Sequence, residues 1–391
     1  MQAGRSRRWA VAAALSTVTA LVGGVPLAGP TSAAPAPGAG TPITVMTRNL
    51  YLGGDITRPL DATSGLSGLP ALLAFGRANN TLAGIVDATD FPARSTALAR
   101  EIADNEPDVV GLQEVALWRH GPLQLDQVGT ANAETVDYDF LTTLTDDLAA
   151  LGADYRVAES QVESDVEGPA FASFPGDPTS SDVRLTMRDV LLVKAGRVKV
   201  DAHGSEQYQT RISFSIAGVP FAFIRGYTWA DVRVGTKRLR VVNTHLESQS
   251  SLVAKAQAAE LLAGSGAVTG RPLVVVCDCN SDPLNGSTKD TDPIPTPHWA
   301  PYRLLTGAGG LHDEWQQWSS TDPGFTSGFN ELVNDPTAAP IDHRIDLVLA
   351  RGADGGPLRA DRGLVVGTDP AEKVDGLWPS DHAGVVLRLR P

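Results

Sequence analysis

Six short polar groups stand where apolar runs stop or start. Thr47-Arg48-Asn49 ends the run from Ile43, and Gln113-Glu114 ends residues 109–112. Asn243-Thr244-His245-Leu246-Glu247 ends a run from Lys237, and Asp278-Cys279-Asn280-Ser281 ends residues 273–276. Arg344-Ile345-Asp346 opens a run, and Ser380-Asp381-His382 precedes the last one. Such residues supply carboxylates that hold protons or hard cations, amides that donate hydrogen bonds, and imidazoles that carry a proton near neutral pH. Each alone is ordinary. A Glu after a strand is usually a solvated loop residue, and a lone His in Thr-His-Leu is more often a packed one. Together they gather acid–base and ligand chemistry at strand ends, where mixed α/β folds build sites. Asp278 and Asn280 are two residues apart, so an extended backbone aims both side chains to one side.

The elements that must hold these groups alternate irregularly. Residues 43–49 alternate as a strand with Ile43, Val45, Thr47 and Asn49 on one face. Residues 52–88, rich in Gly, Ala, Leu and Asn, read as an irregular insertion with a short helix near 69–78. Asp90 with Pro92 opens a helix that carries Leu98 and Ile102 and stops before Pro107. Residues 108–112 form a buried strand. Residues 138–151 form an amphipathic helix with Leu141, Leu144, Leu148 and Leu151 on one face and Gly152 as its C-cap. The acidic, Gly/Pro/Ser-rich stretch 161–183 reads as a surface loop. Strands are expected at 189–193, 209–216 and 221–228, and a hairpin over 229–234 and 237–245 turning at Gly235-Thr236. A helix over 252–262, an apolar strand over 272–276, a polar loop over 281–298 and strands at 344–350 and 384–389 complete the chain. There is no internal repeat and no linker, which points to mixed sheets covered by helices in a single large domain.

The 391 residues carry 32 Lys+Arg against 45 Asp+Glu, a net charge of −13. With 42% hydrophobic and 20% charged residues, disordered, collagen-like and coiled-coil classes are excluded. The acidic balance argues against a broad grip on nucleic-acid phosphates, but not against an enzyme that brings a phosphate in through metal ions. Arg5, Arg7 and Arg8, an apolar stretch over 10–25 and Thr31-Ser32-Ala33-Ala34 make residues 1–33 a secretory signal peptide, cleaved after Ala33, so a secreted protein is expected. Arg7-Arg8 is a twin-arginine pair without the hydrophobic follow-on of a Tat signal. Removing three Arg and no acid takes the net charge from −13 to −16. Residues 34–41 read as a flexible lead-in and 42–391 as the domain. No other run is long enough to span a bilayer. Cys277 and Cys279 would lie about 6.6 Å apart on an extended strand, near the upper limit for a bridge. Two buried packing thiols are favoured over a strained disulfide.

The order and content of the polar blocks resemble the endonuclease/exonuclease/phosphatase superfamily. The matching blocks are Arg48-Asn49-Leu50, Leu112-Gln113-Glu114, Asn243-Thr244-His245-Leu246, Asp278-x-Asn280-Ser281, Arg344-Ile345-Asp346 and Ser380-Asp381-His382, with Leu311-His312-Asp313-Glu314-Trp315 as a further one. The resemblance implies a four-layer α/β/β/α sandwich of two mixed sheets flanked by helices. It implies a Mg²⁺ site, with Mn²⁺ or Ca²⁺ as alternatives, at Glu114 with Asn49 and Asp381. Asp278 would orient or deprotonate the attacking water, and Asn280 would donate to a phosphate oxygen. His382, paired with Asp346, would polarise the phosphate or transfer a proton, and His245 would face it as a second imidazole. Two departures stand out: Cys277 replaces the usual Gly before Asp-x-Asn, and only Asp55 offers a second N-terminal acid. Arg188-Asp189 reads as a surface ion pair or a phosphate contact.

The implied activity is phosphodiester hydrolysis. Nuclease action is slightly favoured over sphingomyelinase or phospholipase C-type action on a lipid headgroup, and phosphomonoesterase action comes third. A catalytically inactive binding module is the reading from another class. A lipid enzyme would want an exposed apolar loop, and the candidates are Phe171-Ala-Ser-Phe174-Pro175 and residues 66–75, both read more readily as core packing. No basic stripe longer than Lys237-Arg238-x-Arg240 is visible. No obligate protein partner is implied.

Overall fold

Residues 41–264 and 271–391 are described by a computed structural model. The expected signal peptide, and the lead-in up to residue 40, lie outside the described residues. The strand β1 (Ile43–Asn49) is followed by α1 (Arg58–Thr63), α2 (Gly68–Ala88), α3 (Phe91–Asn105) and β2 (Val109–Gln113). Asp90 caps α3 by accepting from Ala93 N, Pro92 fits its first turn, and Glu106 ends it in the left-handed region. Next come β3 (Leu117–Pro122), β4 (Thr135–Asp139), α4 (Phe140–Ala150), β5 (Tyr155–Ala170) and β6 (Ser181–Lys194). Then follow β7 (Val198–Gln207), β8 (Ile212–Ile216), β9 (Val219–Phe223), β10 (Gly226–Val234), β11 (Lys237–His245), α5 (Ser251–Ala263) and β12 (Leu273–Asp278). The chain closes with α6 (Ala300–Thr306), β13 (His312–Asp313), α7 (Glu314–Trp318), β14 (Asp346–Arg351), β15 (Ala360–Val366) and β16 (Gly384–Leu389).

One sheet runs β15-β16-β1-β2-β6-β3-β4, with β5 also paired to β6; the other runs β13-β14-β12-β11-β10-β7. Both are mixed: β1 lies parallel to β2 and antiparallel to β16, and β12 parallel to β11 and antiparallel to β14. Period-two alternation builds the layers. Ile43, Val45, Val109 and Leu191 of the first sheet pack on Val241, Val274, Val276 and Val348 of the second. Their neighbours Met46, Val110 and Leu112 turn instead to Leu82, Leu98, Ile102 and Leu144 of α2, α3 and α4. On the far side Val242, Val275 and Leu347 cover Ala254, Leu261 and Leu305 of α5 and α6. The result is the four-layer α/β/β/α sandwich. Strands buried on both faces must be apolar throughout, which is why 273–276 shows no alternation.

Several local expectations need correction. Residues 161–183 are not a loop: 155–170 and 181–194 form a long β5–β6 ribbon, and only the turn between them is irregular. Its inward residues are carboxylates, Glu163 and Glu167, so the usual apolar-in pattern is missing. Residues 52–88 contain α1 and the 21-residue α2, not one short helix. The glycine content that weakens helix propensity there serves packing. A Cβ on Gly76 would lie 2.2 Å from the Phe171 ring. Strands β3, β4, β7 and β15 carry too many polar or exposed residues to be read as runs.

The cysteines are also bridged, not free thiols: Cys277 and Cys279 form a disulfide with Cα atoms 5.1 Å apart. The extended spacing does not apply, because β12 stops at Asp278 and Asn280 turns into the left-handed region at φ 42°. An Asn tolerates that conformation, and its N–H donates to Asp278 Oδ1 at 3.0 Å. Asp278 and Asn280 therefore meet through a turn, not along one face of a strand.

Candidate active site

Strand register places the key residues side by side. His245 at the end of β11 pairs with Asp278 of β12, which pairs with Asp346 of β14. Asn49 comes from the other sheet, and its Nδ2 donates to Asp278 Oδ2 at 3.0 Å. His382, two residues before β16, brings Nδ1 to 2.8 Å from Asp346 Oδ2 and 3.9 Å from Asp278 Oδ2. His245 Nε2 lies 3.4 Å from Asp278 Oδ2. The sandwich thus converts residues far apart in sequence into one buried cluster across both sheets.

Structural residues make this placement rigid. Arg48 is fully buried, pairs with Glu101 of α3 at 2.9 Å and donates to the His382 carbonyl. Ser380 Oγ donates to the Asn49 carbonyl at 2.8 Å. Arg94 of α3 donates to the Leu50, Tyr51 and Pro379 carbonyls and so ties the loops after β1 and before β16 together. Asn243 joins the sheets, accepting from Gln113 Nε2 at 2.6 Å and donating to the Leu112 carbonyl at 3.0 Å. Gly111 allows that approach, since a Cβ there would sit 2.4 Å from Val276 and 2.7 Å from Asn243. Thr326 Oγ1 accepts from the Ile345 and Asp346 amides.

The charges sort into distinct roles. Burial and the neighbouring Asp346 push the Asp278 carboxyl up to about 7. Burial opposes charge on His382, yet Asp346, Asp381 and Asp278 hold its imidazolium well above the ordinary histidine value. His245 is held well below that value by burial, Arg225 and His382. Arg225 Nη1 donates to His245 Nδ1 at 2.8 Å, so the neutral ring carries its proton on Nε2, toward Asp278. Two imidazoles thus flank Asp278, one cationic and one neutral.

Glu114 and Asp381 line a neighbouring cleft of about 320 Å³. Glu114 stands at φ 56° just past β2, and its Oε2 accepts from Leu52 N at 2.9 Å. Burial, then the Glu114 charge, pushes Asp381 up to about 6 while His382 pulls it down. A buried carboxylate whose proton affinity is raised is a donor that a hard divalent cation relieves, and an all-oxygen set suits Mg²⁺. Asp346 Oδ1 is in addition buried without a hydrogen-bond partner. These residues fit a cation held by Glu114 and Asp381, with Asn49 beside them. Asn49 Oδ1 already accepts from Tyr51 N at 2.8 Å. Asp278, Asp346 and His382 also bring ligand atoms within 4.8 Å of one another. The His382–Asp346 hydrogen bond occupies Nδ1 of that ring.

Other sequence candidates fall elsewhere. Asn280 donates Nδ2 to the Leu246 carbonyl at 2.9 Å. Asp55 lines the cleft, but its carboxylate accepts from Thr57 N at 2.8 Å. The Leu311–Trp315 block is structural: Asp313 pairs with Arg344 at 2.8 Å and caps α7. Arg188 and Asp189 are not paired with each other. Arg188 binds Asp139 at 2.5 Å, and Asp189 is fully buried. Sequence reasoning missed the buried set behind His245, namely Arg225, Glu163 and Asp189. Arg225 stands between β9 and β10 with no motif to mark it. Of the three only Asp189 stood out in the sequence, as part of Arg188-Asp189, and Glu163 was hidden in the stretch read as a loop.

Residues 80–382 match the family described as Endonuclease/Exonuclease/phosphatase family. No curated protein matches the sequence. Among solved structures, the chain is similar to an endonuclease/exonuclease/phosphatase family protein from Bacteroides thetaiotaomicron, at 14% identity and TM-score 0.50 over 90% of this chain and 98% of that one. A family protein from Leptotrichia buccalis gives 13% identity and TM-score 0.50 over 89% and 99%. One from Beutenbergia cavernae gives 22% identity and TM-score 0.49 over 89% and 71%.

Proposed function

We propose that this chain, which belongs to the endonuclease/exonuclease/phosphatase family, is a divalent-metal-dependent phosphodiesterase. The observation that carries this reading is the His245–Asp278–Asp346–His382 cluster, set beside the Glu114–Asp381 pair. Water adds to phosphorus, the bond from phosphorus to the leaving oxygen breaks, and the products are a phosphomonoester and an alkoxide, which takes a proton from solvent to become the alcohol while Asp278 returns its own to solvent. Asp278, oriented by Asn49, accepts the proton that the water loses. His382 keeps its Nδ1–H on Asp346 and presents Nε2–H to a non-bridging phosphate oxygen, where negative charge develops. His245 Nε2–H and the free amide proton of Asn280 add neutral donors. A divalent cation bound at Glu114 and Asp381 would neutralise charge on the phosphoryl oxygens and the leaving oxygen.

Nucleic acid is the first substrate the sequence suggests and a phospholipid headgroup the second. The cavity described in the next section favours the second. Export after cleavage of residues 1–33, leaving one domain over 42–391, is part of the same proposal, and the Cys277–Cys279 disulfide supports an oxidising destination. No helix among the described residues is long and apolar enough to cross a membrane. The test is hydrolysis of bis(p-nitrophenyl) phosphate, plasmid DNA, RNA and sphingomyelin with Mg²⁺, with His382→Ala as control. Loss of turnover in excess EDTA is expected; full turnover there would overturn the reading.

A further inference from the structure

Beside the catalytic cleft lies a second, apolar cavity. The β8–β9 ribbon pairs with neither large sheet. Its sequence alternates, Phe214 and Ile216 against Ser213 and Ser215, so it presents one apolar face. That face looks across a cavity of about 70 Å³ toward α1, α2 and the β5–β6 ribbon. Four phenylalanines, Phe75, Phe214, Phe221 and Phe223, and Trp118 line it. The rings already stack at their edges, with centroids of Phe75 and Phe221 5.7 Å apart and of Phe214 and Phe223 5.0 Å apart.

This cavity adjoins the site. Ile56 and Phe223 stand between it and the cleft that holds Glu114 and Asp381, lining both. On its inner wall, Met187 accepts from Arg225 Nη1 at 3.5 Å, and that same nitrogen holds His245. Further out, the chain after α1 exposes Leu66 (46%) and Leu69 (65%), and the β5–β6 turn exposes Phe174 (58%). Phe171 is fully buried, so among the large apolar side chains of the two stretches noted in the sequence Leu66, Leu69 and Phe174 are the exposed ones. The turn is tied to α2 through Phe171 N to the Gly76 carbonyl and Arg77 Nε to the Ser173 carbonyl. The cleft wall opposite adds Asp55 and Glu331, the latter paired with Arg58. Carboxylates there disfavour the flanking phosphates of a polynucleotide.

We propose that the aromatic cavity is a substrate subsite for an aliphatic group, so that the substrate is an amphiphilic phosphodiester. This rests on the phosphodiesterase reading above and names its substrate class. The headgroup phosphate would lie against His382 and His245 while the first methylenes of the apolar group enter between Phe223 and Ile56.

The experiment measures kcat/KM of the Mg²⁺-loaded protein on alkyl p-nitrophenyl phosphates from methyl to octyl. Each buried methylene is expected to raise kcat/KM about fourfold. The rise should stop after the first few, because the cavity is small. Phe221→Ser on the ribbon, and Val166→Phe filling the cavity from β5, should each flatten the rise and leave the methyl ester rate unchanged. A rate independent of chain length, with the methyl ester still cleaved, overturns the subsite and leaves the phosphodiesterase reading standing. A rise that survives in both variants also overturns it. No cleavage of any ester, methyl included, overturns the phosphodiesterase reading on which the subsite rests.

Discussion

His382 is the residue whose removal should tell most about the chemistry. It is the one imidazole of the cluster held cationic, and its Nε2 lies 4.0 Å from Asp381 Oδ1 while Nδ1 is bound to Asp346. His382→Ala is expected to lower kcat by roughly 10²–10⁴-fold with a small change in KM, read from steady-state kinetics on a small diester. Arg225 acts one step further back, through His245. Arg225→Gln should lower kcat about 10–100-fold, as the loss of a histidine's orienting partner typically does, while the circular dichroism spectrum stays that of the parent. Asp189 gives a pH signature of its own. Burial pushes its carboxyl up to about 8, with Arg225 opposing. The folded state therefore keeps a proton that the unfolded chain releases near pH 4. From about pH 4 to 8 this group lowers stability as pH rises, since the folded state binds the extra proton. Asp189→Asn abolishes that loss, so the melting temperature of the variant relative to the parent should increase from pH 5 to pH 8. A constant difference across that range would remove this account of Asp189.

At the scale of elements, the decisive contact is between the two sheets. Asn243, Gln113 and Gly111 set their spacing, and Asn49 reaches Asp278 across it. Gly111→Ala puts a methyl where Val276 and Asn243 already sit. The expected cost is about 1–3 kcal/mol, seen as a lower urea midpoint at unchanged slope, with activity falling further than stability because Asn49 and Asp278 separate. This scale also separates what could be read in the sequence from what could not. β1, β2, β11, β12, β14 and β16 were legible because both faces are buried and the chain must be apolar there. Their polar termini were legible for the same reason: a carboxylate or amide breaks an otherwise apolar run. The β5–β6 ribbon was not legible, because Glu163 and Glu167 point inward. Glu167 is stabilised by the Asn132 and Ala133 amides, and Glu163 lies beside Arg225. The length of α2 was hidden by Gly76 and Gly84, of which Gly76 makes room for Phe171. Tertiary partners, invisible in one sequence, override local pattern in both cases. The Cys277–Cys279 bridge was missed because the strand was carried one residue too far.

For the molecule as a whole, charge and metal act in opposite senses. A net charge of −13 repels polyanions, and a cation held at Glu114 and Asp381 would offset that only locally. Mg²⁺ that binds the folded state alone should stabilise it by about 2.7 kcal/mol at a hundredfold excess over its dissociation constant. Glu114→Gln should abolish most of that gain in a thermal melt, whatever the substrate. The long-range repulsion calls for a different measurement. Proteins that grip DNA through many Lys and Arg lose affinity steeply with salt, because each neutralised phosphate releases counterions. Here no such stripe exists in the sequence, so the counterion term is small and the repulsion dominates. Screening shortens from about 30 Å at 0.01 M salt to about 8 Å at 0.15 M. With Mg²⁺ held constant and saturating, kcat/KM on a long DNA should therefore stay flat or rise from 0.01 to about 0.15 M NaCl. The same salt series on a singly charged alkyl diester should change little, because a small monoanion meets the cation site and not the whole field. A steep fall with salt on DNA would mean that the chain grips polynucleotides through a basic surface, and would return nucleic acid to first place among its substrates.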